Sequence, residues 1–178
     1  MFVIGMIPQT GIGRFLFFLH IALIAAQWLV PLAAMSSLPE EIPIHFDFSG
    51  NPDGYGARAT LWLLPVIATF LGFLAIVLLQ YPSSFNVPGR ADIAALPEKQ
   101  RLPIHDLMRE MLLAIFVVVQ LICLSVTGLI IASVHAENFA FPKYLILSFV
   151  VAPLAVVIMY LVRVSRALDR AKREAGHS

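Results

Sequence analysis

His45, Asp47, Asn51 and Asp53 place one imidazole and three oxygen-bearing side chains within nine positions. Two chemistries suit such a set. A divalent cation takes carboxylate and amide oxygens, with histidine as a further ligand, and His45 oriented by Asp47 or Asp53 could act as a general base. The spacing fits neither template. Aligned on a calcium-binding loop from Asp47, the position that requires glycine is Pro52 and the one that requires glutamate is Arg58. Ser36, Ser37 and Ser49 are ordinary loop serines, and neither a nucleophile elbow nor a helix with paired histidines accompanies His45. The chain is therefore expected to be no enzyme, with no catalytic residue, no metal site and no cofactor. A plainer use of the same residues is structural: Asp47, Asn51 and Asp53 cap turns and His45 hydrogen-bonds the loop.

The segment 36–60 must position these groups. Residues 42–48 have the alternating, β-branched character of an extended stretch, whereas Ser49-Gly-Asn and Pro52-Asp-Gly read as tight turns. Gly50, Gly54 and Gly56 would allow positive φ there. His45, Asp47, Gly50, Asn51, Asp53 and Gly56 form the candidate ligand-binding set.

Around this loop the chain is unusually apolar. Of 178 residues, 60% are hydrophobic and 13% charged, with mean hydropathy +0.87; a soluble domain averages about 45–50% apolar and 25% charged. That excludes an ordinary water-soluble globule. A net charge of +1 removes nucleic acid from the partners, and the single Cys123 permits neither an internal disulfide nor a thiolate metal cluster. The runs 15–35, 61–80, 111–134 and 144–162 contain no Asp, Glu, Lys or Arg, and each is long enough to cross about 30 Å of hydrocarbon as a helix. The first run exceeds the 7–15 residues of a signal-peptide core, which favours a retained span. The expectation is an all-α membrane protein, residues 1–178 as one unit, with four transmembrane helices and an ordered extracytoplasmic loop between the first and second. Residues 1–13, broken by Pro8, Gly11 and Gly13, are expected at the interface.

Arg14, Arg90, Lys99, Arg101, Arg109, Arg163, Arg166, Arg170, Lys172 and Arg173 fall on one side of these spans, with only Arg58 and Lys143 on the other. Both termini are thereby expected in the cytoplasm. Trp62 and Tyr144 then mark the outer interface, and Tyr81 and Tyr160 the inner one. Pairs of small residues four apart (Ala22 and Ala26, Ala68 and Gly72, Gly128 and Ala132) would let helices approach closely. Pro31, Pro65 and Pro153 are expected to kink spans one, two and four. His20, Gln27 and Gln120, polar groups within lipid-embedded runs, are expected to bond between helices, and the lack of Asp or Glu inside the spans disfavours a coupled pump. On the basic side, Pro103 suits the first turn of a helix over 104–110, where Asp106, Arg109 and Glu110 read as a solvated helix end. The tail 163–178 carries Arg163, Arg166, Arg170 and Arg173 at helical spacing, a stripe suited to topology anchoring, anionic headgroups or a cytoplasmic regulator.

The stretch 38–56, Leu-Pro-Glu-Glu-Ile-Pro-Ile-His-Phe-Asp-Phe-Ser-Gly-Asn-Pro-Asp-Gly-Tyr-Gly, precedes an apolar span that contains Pro65. It resembles the bacterial membrane family called domain of unknown function 1648, the matching residues being Leu38, Pro39, Pro43, His45, Gly50, Asp53 and Gly56. The family form commonly has asparagine where this chain has Asp47. The resemblance covers about residues 24–73, and the proline- and asparagine-containing segment 81–88 is also similar to one that follows the second span in many members. Through the SdpI-type immunity proteins, it implies a bacterial inner-membrane protein that protects against an extracytoplasmic peptide toxin or other membrane-active agent, with signalling to the cytoplasm. Four spans are expected here, without the additional C-terminal spans of those relatives. Against this binding and protective reading stand a structural or assembly subunit with a partner membrane protein or a second copy of the chain, and a metal-binding protein.

Overall fold

The computed structural model describes residues 7–136, 139–140 and 142–175; residues 1–6 of the expected interfacial stretch and 176–178 of the basic tail lie outside them. Its elements run α1 (Gly11–Ala34), β1 (Glu41–Phe46), β2 (Pro52–Ala57), a 3-10 turn (Arg58–Trp62), α2 (Leu63–Leu78), α3 (Arg90–Ala95), α4 (Glu98–His135) and α5 (Lys143–Ala175). Four helical stretches are long and apolar enough to cross a membrane, one in each expected run. The chain is a multi-pass membrane protein.

α4 is the central element, packing against α1, α2 and α5. Small side chains on α2 make the close approaches. Ala68, Gly72 and Ala75 are all buried, and a Cβ on Gly72 would stand 2.6 Å from Ile24 Cδ1 and 3.1 Å from Gln120 Nε2. Of the expected small pairs, only Ala68 and Gly72 are both buried. Ala22, Gly128 and Ala132 are exposed on the bundle surface, and nothing lies within 4 Å of a Cβ built on Gly128. Pro31 and Pro153 lie inside their helices. Pro65 instead occupies the first turn of α2, where a missing N–H leaves no helical bond unmade, so no kink is required there.

His20, Gln27 and Gln120 bond between helices as expected. His20 Nε2 donates to Gly72 O at 3.3 Å, Gln27 Nε2 donates to Gln120 O at 2.7 Å, and Gln120 Nε2 donates to Ala68 O at 2.9 Å. One amide thus ties α4 to α1 and to α2 within a layer closed to solvent. His20 Nδ1 and Gln27 Oε1 are buried with no hydrogen-bond partner among the described residues.

The basic end departs from expectation. α4 starts at Glu98, so Pro103 lies inside the helix and not in its first turn. Pro97 serves as N-cap, its carbonyl accepting from Gln100 N at 3.0 Å and Arg101 N at 3.1 Å. The reason is an apolar stripe, Ile104, Met108 and Met111, that continues the buried face of α4 beyond the lipid run. α5 supplies the matching stripe, Val164, Leu168 and Ala171, between its arginines, and with Val87, Ile93 and Tyr160 these residues form a core on the basic side. The tail is therefore an amphipathic helix docked on α4, with its arginines on the remaining faces. Tyr160 is 2% exposed inside that core. It is not an interfacial belt residue, whereas Tyr81 and Tyr144 are exposed.

Glu110 is the second departure. At 1% exposure it is buried, not a solvated helix end. Its carboxylate accepts from the Thr10 hydroxyl and from Tyr160 Oη at 3.4 Å, and it pairs ionically with Arg163 Nη1 at 3.5 Å. The Thr10 oxygen also accepts from Gly13 N at 2.9 Å as the N-cap of α1, so this cluster joins α1, α4 and α5.

Candidate functional site

Between α1 and α2 the chain forms a β-hairpin. β1 and β2 are antiparallel, pairing Glu41 with Ala57, Ile42 with Gly56, Pro43 with Tyr55, His45 with Gly54 and Phe46 with Pro52, with irregularities on either side of His45. The extended stretch and the turn at 49–51 are as expected. Pro52-Asp-Gly, expected as a second turn, is instead the start of β2. Proline is tolerated because a two-stranded sheet consists only of edges. Of the three loop glycines, Gly50 has φ +87°. Gly54 and Gly56 do not adopt positive φ. They provide room across the ladder, since a Cβ would stand 2.9 Å from His45 Cβ at Gly54 and 2.6 Å from Ile44 Cδ1 at Gly56.

Asp47 builds the turn. Its Oδ1 accepts from Ser49 N at 2.7 Å and Asn51 N at 2.9 Å, and its backbone exchanges 2.9 Å bonds with Gly50 and Asn51. Hydrogen bonds from the Asn51 and Ser49 backbone amides hold the Asp47 carboxyl below the usual carboxylate range. His45 Nδ1 donates to Asp53 Oδ1 across the strands, and this pair faces solvent. The candidate residues therefore separate into a turn (Asp47 with Asn51 and the positive-φ Gly50), a hydrogen-bonded cross-strand pair (His45 with Asp53) and a spacer (Gly56). Among the described residues no three His, Cys, Asp or Glu side chains gather as a metal would require.

The hairpin is fixed to the bundle by two devices. Leu38, Ile42 and Leu61 are nearly or fully buried and cluster with Ile130 of α4; burying one such side chain contributes about 1.5–3 kcal/mol. Arg58, taken from the sequence only as a charge on the sparsely basic side, donates from Nη1 to Leu38 O at 2.8 Å and to Met35 O at 3.5 Å. A cation there also complements the negative end of α1. Arg109 does the same on the basic side, donating from Nε to Leu79 O at 3.1 Å at the end of α2.

A cleft of about 520 Å³ opens between the hairpin and the end of α4. Pro39, Glu41, Pro43, Asn51 and Tyr55 form its hairpin wall, and Ser133 and Phe139 line the other side. Of the candidate set only Asn51 reaches it. Glu41 and Tyr55 form no recognised motif, and Pro39 and Pro43 enter the sequence reading only through the family resemblance. The available signal was the tyrosine between two glycines, a large side chain on a strand whose neighbours have none.

Residues 22–69 match the family model "Domain of unknown function (DUF1648)". The resemblance carried by the hairpin motif is thereby shown, and it spans the second half of α1, the whole hairpin and the start of α2. Over 173 residues the chain is 28% identical to a protein of Archaeoglobus fulgidus described as "Uncharacterized protein", covering 92% of this chain and 94% of that one. No solved structure matches the chain.

Proposed function

We propose that this chain is a membrane-embedded binding protein, not a catalyst, whose hairpin cleft holds an extracytoplasmic peptide or other membrane-active agent, in the protective manner of SdpI-type proteins. The observation that carries this reading is the cleft. Its volume of about 520 Å³ falls within the range of about 300–1,000 Å³ usual for ligand sites. Proline and tyrosine walls offer rigid apolar contact at small entropic cost, and Glu41 offers one carboxylate to a cationic group. Tyr55 is 61% exposed and available to a partner. The distribution of arginine and lysine supports an outward-facing hairpin, and with it a cytoplasmic membrane location and cytoplasmic termini.

The test uses cells producing the full chain and challenged with a synthetic cationic amphipathic peptide. Wild type should raise the inhibitory concentration. Tyr55→Ala and Glu41→Gln, at equal membrane abundance, should abolish that protection, and His45→Ala should not. Protection that survives both cleft substitutions, or wild-type cells no more resistant than an empty control, would overturn the proposal. Orientation is read separately in a Cys123→Ala background: a membrane-impermeant maleimide on whole cells should label Ser49→Cys and spare Ser84→Cys.

A second reading, an assembly subunit, is favoured by Phe48, which stands 100% exposed at the hairpin tip. A membrane protein that co-purifies with wild type and is lost from Phe48→Ser would support it.

A further inference from the structure

The basic end contains a second cavity, of about 320 Å³, between α3, the first turns of α4 and the segment before α3. Arg90, Arg101, His105 and the Ser83 hydroxyl supply its polar wall, with one carboxylate, Glu98, among them. Val87, Ile93 and Met108 supply an apolar floor. Among the described residues Arg90 enters no ion pair, and the Arg101 guanidinium donates one 3.4 Å bond, to Ala94 O. The two arginines thus keep unspent donors on the pocket wall.

Charge, depth and shape together define the ligand. Two guanidinium groups and one carboxylate leave one net positive charge with His105 neutral, which matches a singly charged phosphodiester. Guanidinium donors suit phosphate oxygens. Met108 of the floor lies three residues before Met111, where the uncharged run begins, about 4.5 Å of helix rise and within the headgroup layer, about 5–8 Å deep on each side of the hydrocarbon. The apolar floor accommodates the glycerol and first methylenes that a free anion lacks. We infer that this cavity binds the phosphodiester headgroup of an anionic phospholipid, at a discrete site distinct from the general attraction of the α5 arginines.

The experiment uses the purified full chain in nanodiscs containing equimolar phosphatidylglycerol and phosphatidylcholine, read by native mass spectrometry after mild delipidation. Wild type should retain one phosphatidylglycerol per chain, enriched over phosphatidylcholine by about fivefold, the scale of one net charge near the surface. Arg90→Gln and the double variant Arg90→Gln/Arg101→Gln should lose that enrichment, while Arg166→Gln/Arg170→Gln on the exposed face of α5 keeps it. Arg90 is exposed, so its single variant keeps the test valid if the double variant fails to fold. Equal loss from the α5 variant, or no enrichment in wild type, would overturn the inference. In a second arm, discs of phosphatidylcholine alone are incubated with inorganic phosphate. Phosphate that binds there and displaces phosphatidylglycerol in the mixed discs would reassign the site to a soluble anion and overturn the lipid assignment, whereas no binding of phosphate supports it.

Discussion

Gln27 and Gln120 are both buried amides in the same layer, and although they play different parts in it their replacement by leucine is expected to cost about the same. Gln120→Leu removes the 2.9 Å bond to Ala68 O and the 3.3 Å bond accepted from Gln27, but spares the 2.7 Å bond that Gln27 donates to the Gln120 backbone. Side-chain bonds between helices in membranes average about 0.6 kcal/mol and reach about 1.7. One good bond and one long one therefore sum to about 1 kcal/mol, roughly a fivefold loss in the folding constant. Gln27→Leu likewise loses one good bond and the same long one. It removes Oε1, a buried acceptor with no partner among the described residues, but leaves Gln120 Oε1 without its donor, so the two effects on orphaned acceptors cancel. Gln27→Leu is thus expected to cost about 1 kcal/mol as well. Unfolding in mixed micelles titrated with SDS, followed by tryptophan fluorescence, measures both. A difference of more than about 1 kcal/mol between the two variants, in either direction, would refute this accounting of the layer.

Gly72→Val should destabilise by about 1–3 kcal/mol, because its side chain meets Ile24 and Gln120 at distances already short for a Cβ; the same SDS titration reads it. For Glu110, glutamine still accepts from Thr10 and Tyr160 while leucine does not. Glu110→Gln should therefore lower the melting temperature less than Glu110→Leu, which is expected to cost about 2–3 kcal/mol; equal losses would show that the attraction to Arg163 dominates. Because the Asp47 carboxyl is held below its ordinary value, its contribution to hairpin order is fully present above about pH 4. That contribution is lost as pH falls further, through the lowered value of the folded state. Amide exchange at Ser49 and Asn51 should rise in that acidic window for wild type, and Asp47→Asn should exchange with no such step.

The four spans were legible because a long run without charge has few other uses, and the interhelical role of His20, Gln27 and Gln120 followed from the cost of a lone polar group in lipid. Pairing was far less legible. Gly54 reads as a turn residue in isolation and becomes a strand residue only because His45 needs the space across the ladder. Glu110 reads as solvated when its neighbours Asp106 and Arg109 are counted, and as buried only when placed on the face that continues through Met111 and Ala114. Arg58 is one charge among few until the end of α1 comes to lie beneath it. In each case the missing information was the identity of a neighbour distant in sequence. The candidate hairpin residues share one hairpin but not one cavity: local hydrogen bonds engage Asp47, His45 and Asp53, and of the set only Asn51 lines the cleft.

α5 is the least buried of the four long helices, and what holds it is a foot on the basic side made by Tyr160, Val164, Leu168 and Ala171. Biogenesis follows from that placement. During synthesis the fourth span can enter lipid as soon as its apolar run emerges, but it cannot engage α4 until residues 160–171 have also been translated. Between those two moments it is an inserted, undocked helix, free to turn about its own axis and visible to the quality-control proteases of the membrane. A stop codon after Arg163 would remove Val164, Leu168 and Ala171 and prolong that interval, leaving the last span with Tyr160 alone of its foot.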